Sequence, residues 1–371
     1  MSCRFEDRLA GRALVLESLV ERIAVTHRDA LDEAFRRIEA AQQAGHWVAL
    51  ILNYELGEWL EPQLCQDIAD PQPRLTALIY ARAQHSTPWA VSPQSCVLQV
   101  QPRTEPERYQ RDLQILHTGI AAGAYYQVNY TVALDLSFAP PPPGPGSAAS
   151  LYRTLAARHP VAHAAYIEDG TRQILSFSPE LFVARQDDTL TVRPMKGTAP
   201  RLDDPHADEQ AGQTLLHSAK NRAENLMIVD LLRNDLGRLA SPGSVEVKEL
   251  FTLEKYPSVW TLTSTIQAQA PEASLRDILN ALFPCGSVTG APKIAAMQAI
   301  RTLEARPRGI YCGSVGWLAP DGDFSLNVAI RTIEINRGNM TFGVGGGITY
   351  DSDASEEWEE CLWKARVLNP V

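Results

Sequence analysis

The C-terminal third of the chain restricts its fold most. "GIYCGSVGWLA", the turn "PDGD", "FSLNVAIRTIEIN", the turn "RGN" and "MTFGVGGGIT" read as a β-meander. Further strands are expected at "HWVALILNY", 74–83, "YYQVNYTVALDLSF" and "SVEVKELFTLEKY". Strands outnumber crossover helices, so the pattern predicts an α+β fold with mostly antiparallel sheets, not a doubly wound one.

Helices fit between these strands. Residues 29–44 place Leu31, Ala34, Phe35 and Ile38 on one face, and Gly45 stops them. Further helices are expected over "EPERYQRDLQILHTGIAAG", 205–239, "SLRDILNALF" with a capping box from Ser274 to Asp277, and "SEEWEECLWKARVL". "GSVTGAPKIAAMQAIRTLEA" reads as a loop feeding a helix, with Pro292 near its first position. The polar stretch 84–106 fits a linker or a surface strand. The proline run 139–150 reads as a surface loop within one domain, because pattern resumes on both sides.

A net charge of -10 argues against nucleic acid as a partner. No apolar run approaches the roughly 20 residues that span a bilayer, and the acidic N-terminus does not read as a signal peptide. Six scattered cysteines without a CxxC pair predict reduced thiols and a cytoplasmic protein. Common motifs fail on spacing. "GVGGGI" misses GxGxxG, "GSVTGAPK" misses the P-loop, and neither "GSVTG" nor "CGSVG" is a nucleophile elbow. His159 and His163 lack a carboxylate to complete a zinc set.

Four stretches carry candidate chemistry. In "SAKNRAENLMIVDLLRND", Glu224 sits beside the apolar face of Met227 and Leu231. A carboxylate there either binds something or pairs with Lys220 or Arg222. Glu357 and Glu360 lie three apart on the last helix and face one way, as ligands or as dipole complements. One carboxylate from each helix would suit Mg²⁺. "PCGSVTGAPK" offers N–H groups and hydroxyls at a helix entry, and "GVGGGIT" allows close backbone approach, or is simply a bulge. Arg331 precedes that glycine run by one strand. Together they describe a Mg²⁺-assisted site for a small polyanion, plausibly a dicarboxylate. Lys196, in "TVRPMKGTAPR", falls where a strand becomes a turn.

In this order, "YYQVNYT", "FSPELF", "RPMKGTAPR", "AKNRAENLMIVDLLRNDLGR", "PCGSVTGAPK", "YCGSVGWL", "NVAIRT", "GVGGGITYDSD" and "EEWEECLWKA" closely resemble the chorismate-utilising enzymes. The resemblance covers roughly residues 105 to 370. It implies a single four-layer α/β/β/α domain with two mostly antiparallel sheets. Residues 101–371 would form the chorismate-binding catalytic region, and 1–100 a weakly marked part of the same fold. It further implies that Glu224 and Glu360 hold Mg²⁺, with Glu357 in support. Tyr311 and Arg331, with backbone at Gly345 and Gly347, would bind the enolpyruvyl carboxylate. Ser287 would contact the ring carboxylate, and Glu180 would serve as the acid at the 4-hydroxyl.

Two positions choose among the family's activities. Gln127 stands where isochorismate and salicylate synthases have a lysine base, so it is expected as a substrate contact without that chemistry. Lys196 stands where anthranilate synthases have a small residue, and a "KGT" lysine is characteristic of aminodeoxychorismate synthases. The implied activity is component I of that enzyme. Lys196 adds to C2 of chorismate, then ammonia attacks C4, giving 4-amino-4-deoxychorismate for 4-aminobenzoate and folate. An anthranilate synthase large subunit is the alternative. No Cys–His–Glu amidotransferase set is visible, so ammonia is expected from a separate glutaminase subunit. Thr261 replaces a histidine that many relatives carry.

Overall fold

The computed structural model describes residues 3–65, 72–92, 97–139, 146–170, 172–257 and 259–368. Its eighteen strands join in one hydrogen-bonded network in which every pairing is antiparallel. One half runs from Gln127–Phe138 through Asn339–Ile348, Thr332–Asn336, Arg172–Ser178 and His163–Asp169 to Cys3–Asp7. The other runs from Leu75–Ser86 through Trp47–Leu52, Ser314–Leu318, Phe324–Asn327, Leu181–Gln186 and Thr189–Arg193 to Val259–Gln269.

The strand Arg12–Val25 pairs with Cys3–Asp7 on one side and Leu75–Ser86 on the other. Ser18 adopts φ 62 and the register slips between Leu19 and Glu21, so this strand bends while serving both halves. The two expected sheets are thus hydrogen-bonded to each other through the N-terminal residues, which carry no motif of their own.

Helix Leu31–Gln43 buries Leu31, Ala34, Phe35 and Ile38, the face that periodicity predicted. The capping box at Ser274 and Asp277 is present. Pro292 is the residue before helix Lys293–Glu304 and not inside its first turn. The helical stretch 205–239 is two helices, Pro205–His217 and Ala219–Gly237. Ser218 (ψ 115) ends the first, and its hydroxyl accepts from Asn221 N–H to start the second. That break re-aims the second helix, which carries Glu224. Within 84–106, Leu98–Pro102 is a strand against Gln127–Phe138. Residues 140–145 of the proline run, and Cys96, lie outside the described residues; the other five cysteines are free thiols. Among the described residues no helix is long and apolar enough to cross a membrane.

Candidate active site

The chemistry-bearing stretches meet at a cavity of about 230 Å³. Its walls are the lysine strand Met195–Pro200, helix Ala219–Gly237, the glycine strand Asn339–Ile348 and the closing helix Ala354–Ala365. Glu180, Lys196, Glu224, Ser287 and Tyr311 line it, as do Arg331, Gly345, Gly347, Glu357 and Glu360.

Close approach explains the glycines. A Cβ on Gly343 would lie 2.1 Å from the Tyr311 ring, and one on Gly347 would lie 1.9 Å from Gln127 Nε2 and 3.2 Å from Lys196 Nζ. The glycine strand pairs with Gln127–Phe138 from Met340 to Ile348, but with Thr332–Asn336 only up to Phe342. From Gly343 to Gly347 one strand edge therefore has no ladder partner and faces the cavity, where its N–H groups can meet an anion.

Gln127 does not line the cavity. It is 1% exposed and packed against Gly347, with its Oε1 lacking a hydrogen-bond partner among the described residues. Its Nε2 packs at the Gly347 position that Lys196 Nζ also approaches. Ser287 lines the cavity; its hydroxyl donates to Glu180 Oε1 at 2.7 Å and lies 3.2 Å from Cys285 Sγ.

Lys196 leaves the lysine strand at a bulge. Lys196 faces Leu262 and Thr198 faces Thr261, so Gly197 (φ 83) is unmatched. The buried Thr261 hydroxyl donates to Gly197 O at 3.0 Å and fixes this bulge. It supports the lysine's backbone and is absent from the cavity lining. Burial pulls the Lys196 amine down from its ordinary value; Glu224 and Glu180 oppose this, and Lys364 reinforces it. Burial raises Glu180 to about 7, although Ser287, Lys196 and the Met195 N–H all favour its carboxylate. A carboxylic acid and an amine thus titrate side by side, each displaced towards neutrality.

Only six lysines occur in the chain, and Lys196, Lys220 and Lys364 all line this cavity. Lys364 donates to Gly345 O at 2.7 Å and pairs with Glu360 at 2.8 Å. Neither Lys220 nor Lys364 announces itself by pattern; the readable signal was the scarcity of lysine. Burial raises the Glu224 carboxyl, and nearby Glu360 adds to the rise. Burial also works upward on Glu360, but Lys364, Lys196 and Lys220 hold it below its ordinary value. Glu357 accepts from Ser352 at 2.7 Å and burial raises its carboxyl.

Among the described residues no group of three or more His, Cys, Asp or Glu could by itself hold a metal ion, so the three glutamates do not form a ready-made cage. Glu224 and Glu360 still face one space from two helices and feel each other's charge. Two hard oxygen ligands of this kind fit Mg²⁺, which fills its remaining positions with water and substrate oxygens.

At the other end Arg331 sits at φ 49, a strained conformation for a side-chain-bearing residue. Burial pulls its guanidinium down from its ordinary value, with Tyr256 opposing. No carboxylate pairs with Arg331 among the described residues. Arg331, Tyr311 and the open strand edge line one cavity, and a desolvated guanidinium there can accept a carboxylate.

A site of this geometry, on an antiparallel α+β fold, defines the class. Residues 85–370 match the family described as chorismate binding enzyme, and the chain belongs to that family. It is 42% identical over 269 residues to aminodeoxychorismate synthase component 1 of Salmonella typhimurium, covering 71% of this chain and 57% of that protein. It is 38% identical over 263 residues to anthranilate synthase component 1 of Pseudomonas aeruginosa, covering 71% and 52%. The chain thus spans little more than half the length of these relatives. The fold matches that of anthranilate synthase component I from Streptococcus pneumoniae (TM-score 0.83, 24% identity, 96% of this chain and 92% of that one). It also matches MenF, the menaquinone-specific isochorismate synthase of Escherichia coli (TM-score 0.77, 21% identity, 99% and 88%).

Proposed function

We propose that this chain is the chorismate-aminating component of an aminodeoxychorismate synthase, converting chorismate and ammonia to 4-amino-4-deoxychorismate. One observation carries the reading: Lys196 presents an amine lowered by burial to the same cavity as Glu180, an acid raised to about 7. The Salmonella relative's name supports the choice among family activities.

In this mechanism the Lys196 lone pair forms a bond to C2. The C1–C2 double bond shifts to C1–C6 and the C5–C6 double bond to C4–C5. The C4–O bond breaks, and Glu180 delivers the proton with which the oxygen leaves as water. Ammonia then bonds to C4, the double bonds return, and the C2–N bond to Lys196 breaks. Arg331, Tyr311 and the open glycine edge hold the enolpyruvyl carboxylate. Lys364 and Lys220 supply positive charge at the opposite end. Mg²⁺, held by Glu224 and Glu360 with Glu357 behind them, would polarise the ring carboxylate and make C2 more electrophilic. Ammonia would come from a separate glutaminase subunit.

The form competent for the proposed step has its proton on Glu180 and a free amine on Lys196. The kcat/KM profile is therefore expected to be a bell. Its acid limb rises near about 7 and its alkaline limb falls at the lowered lysine value. In Glu180→Gln the alkaline limb should vanish, the acid limb should move to higher pH, and the rate should drop by roughly 10²-fold or more. An unchanged profile would remove Glu180 from proton transfer.

The function is tested by supplying chorismate, Mg²⁺ and ammonium and analysing the products. Accumulation of 4-amino-4-deoxychorismate without fluorescent anthranilate is expected. Anthranilate formed without an added lyase would overturn the reading in favour of an anthranilate synthase.

A further inference from the structure

A second and larger cavity, about 570 Å³, lies behind Tyr311. Tyr311, Phe342 and Gly343 line both cavities, and the Tyr311 ring rests flat against Gly343 with no room for a Cβ between them. In a chain of net charge -10, this second cavity is lined by Arg22, Arg103, Arg172, Arg306, Arg308 and Arg337, against only Asp169 and Glu334.

Four of these arginines already face carboxylates. Arg22 holds Asp169, Arg103 grips Asp135, Arg308 is locked to Glu304, and Arg172 lies 2.7 Å from Glu334 and from Asn53. The Arg172–Glu334 pair is misaligned, so the buried Arg172 Nε and Glu334 Oε1 make no hydrogen bond. Among the described residues, Arg306 donates only to Thr131 O and Oγ1 at 3.1 Å, and its nearest carboxylate, Glu304 at 3.9 Å, already serves Arg308. Arg337, at the hairpin turn with φ 50, has no ion pair among the described residues.

Arginine presents a planar fork matched to the paired oxygens of phosphate or carboxylate. Two guanidiniums without carboxylates of their own, in a positively biased cavity, favour a compact anion. We propose that this cavity is a second binding site, distinct from the catalytic one, for a compact oxyanion carrying at least two negative charges, seated on Arg306 and Arg337. Because Tyr311 forms the wall between the sites, the anion is placed to act on chorismate binding through that ring.

The test is calorimetric titration of the full chain with inorganic pyrophosphate and, separately, with citrate, at matched ionic strength. Saturable one-to-one binding of at least one is expected, and the preferred probe tells a phosphate ligand from a polycarboxylate. Arg306→Gln and Arg337→Asn should each weaken binding by about tenfold or more, near 1.4 kcal/mol, whereas Arg331→Gln should leave it within about twofold. Asn suits the left-handed turn at 337, so that variant keeps the test informative if Arg306→Gln misfolds. Absence of saturable binding by both probes would overturn the proposal. So would binding abolished by Arg331→Gln but insensitive to both cavity variants. These readouts need no turnover and stand apart from the assay of the proposed activity.

Discussion

Lys196→Ala is expected to lower formation of 4-amino-4-deoxychorismate by at least ~10³-fold, the scale on which nucleophile deletions act. The bulge at Gly197, held by Thr261, carries an amine whose pKa burial lowers, and alanine supplies no substitute. Alanine leaves no charge at position 196, and Glu180 keeps its hydrogen bonds from Ser287 and the Met195 N–H. The melting temperature should therefore stay within a few degrees of the parent, separating lost chemistry from lost fold. High ammonium should restore part of the rate if ammonia attacks C4 directly. Intact-protein mass spectrometry supplies the second readout: a chorismate-derived adduct should form on the parent and be missing from the variant. Unchanged turnover would remove Lys196 from the mechanism.

Arg331→Gln is expected to raise KM for chorismate by roughly 30- to 1000-fold, corresponding to about 2–4 kcal/mol for a charge-assisted contact in a desolvated site. The clamp holds a carboxylate that does not react, so it binds ground and transition states alike and kcat should change far less. Glutamine keeps polar reach but lacks the charge and the fork. Steady-state kinetics over a wide chorismate range provides the measurement. A KM within threefold of the parent would place the enolpyruvyl carboxylate elsewhere.

Much of the scaffold was legible because it rests on local rules. Alternation in the C-terminal meander, the apolar face of Leu31–Gln43 and the Ser274–Asp277 capping box all reappear in the structure. Ser218 was less legible: its extended backbone ends one helix and its hydroxyl caps the next. Among the site residues, Glu180, Lys196, Glu224, Arg331 and Glu360 converge although 180 positions separate the first from the last. Gln127 lies buried against its strand neighbour Gly347, at the same position that Lys196 Nζ approaches. Strand register fixes which side chain reaches the cavity, and register is a property of the partner strand.

The sequence by itself determined an antiparallel α+β chain and an acidic protein with a few scarce lysines. Through its ordered motifs it also determined membership of the chorismate-binding family. Those conclusions need only neighbours along the chain or residue types in sequence. The tertiary structure alone decided that Arg12–Val25 joins both halves, that Ser287 holds Glu180, and that Lys364 braces both Gly345 and Glu360. It alone enclosed Lys196 in one cavity with Glu180, a buried acid whose pKa is raised. Desolvation and charge coupling depend on what surrounds a group in space, and no spacing along the chain encodes them.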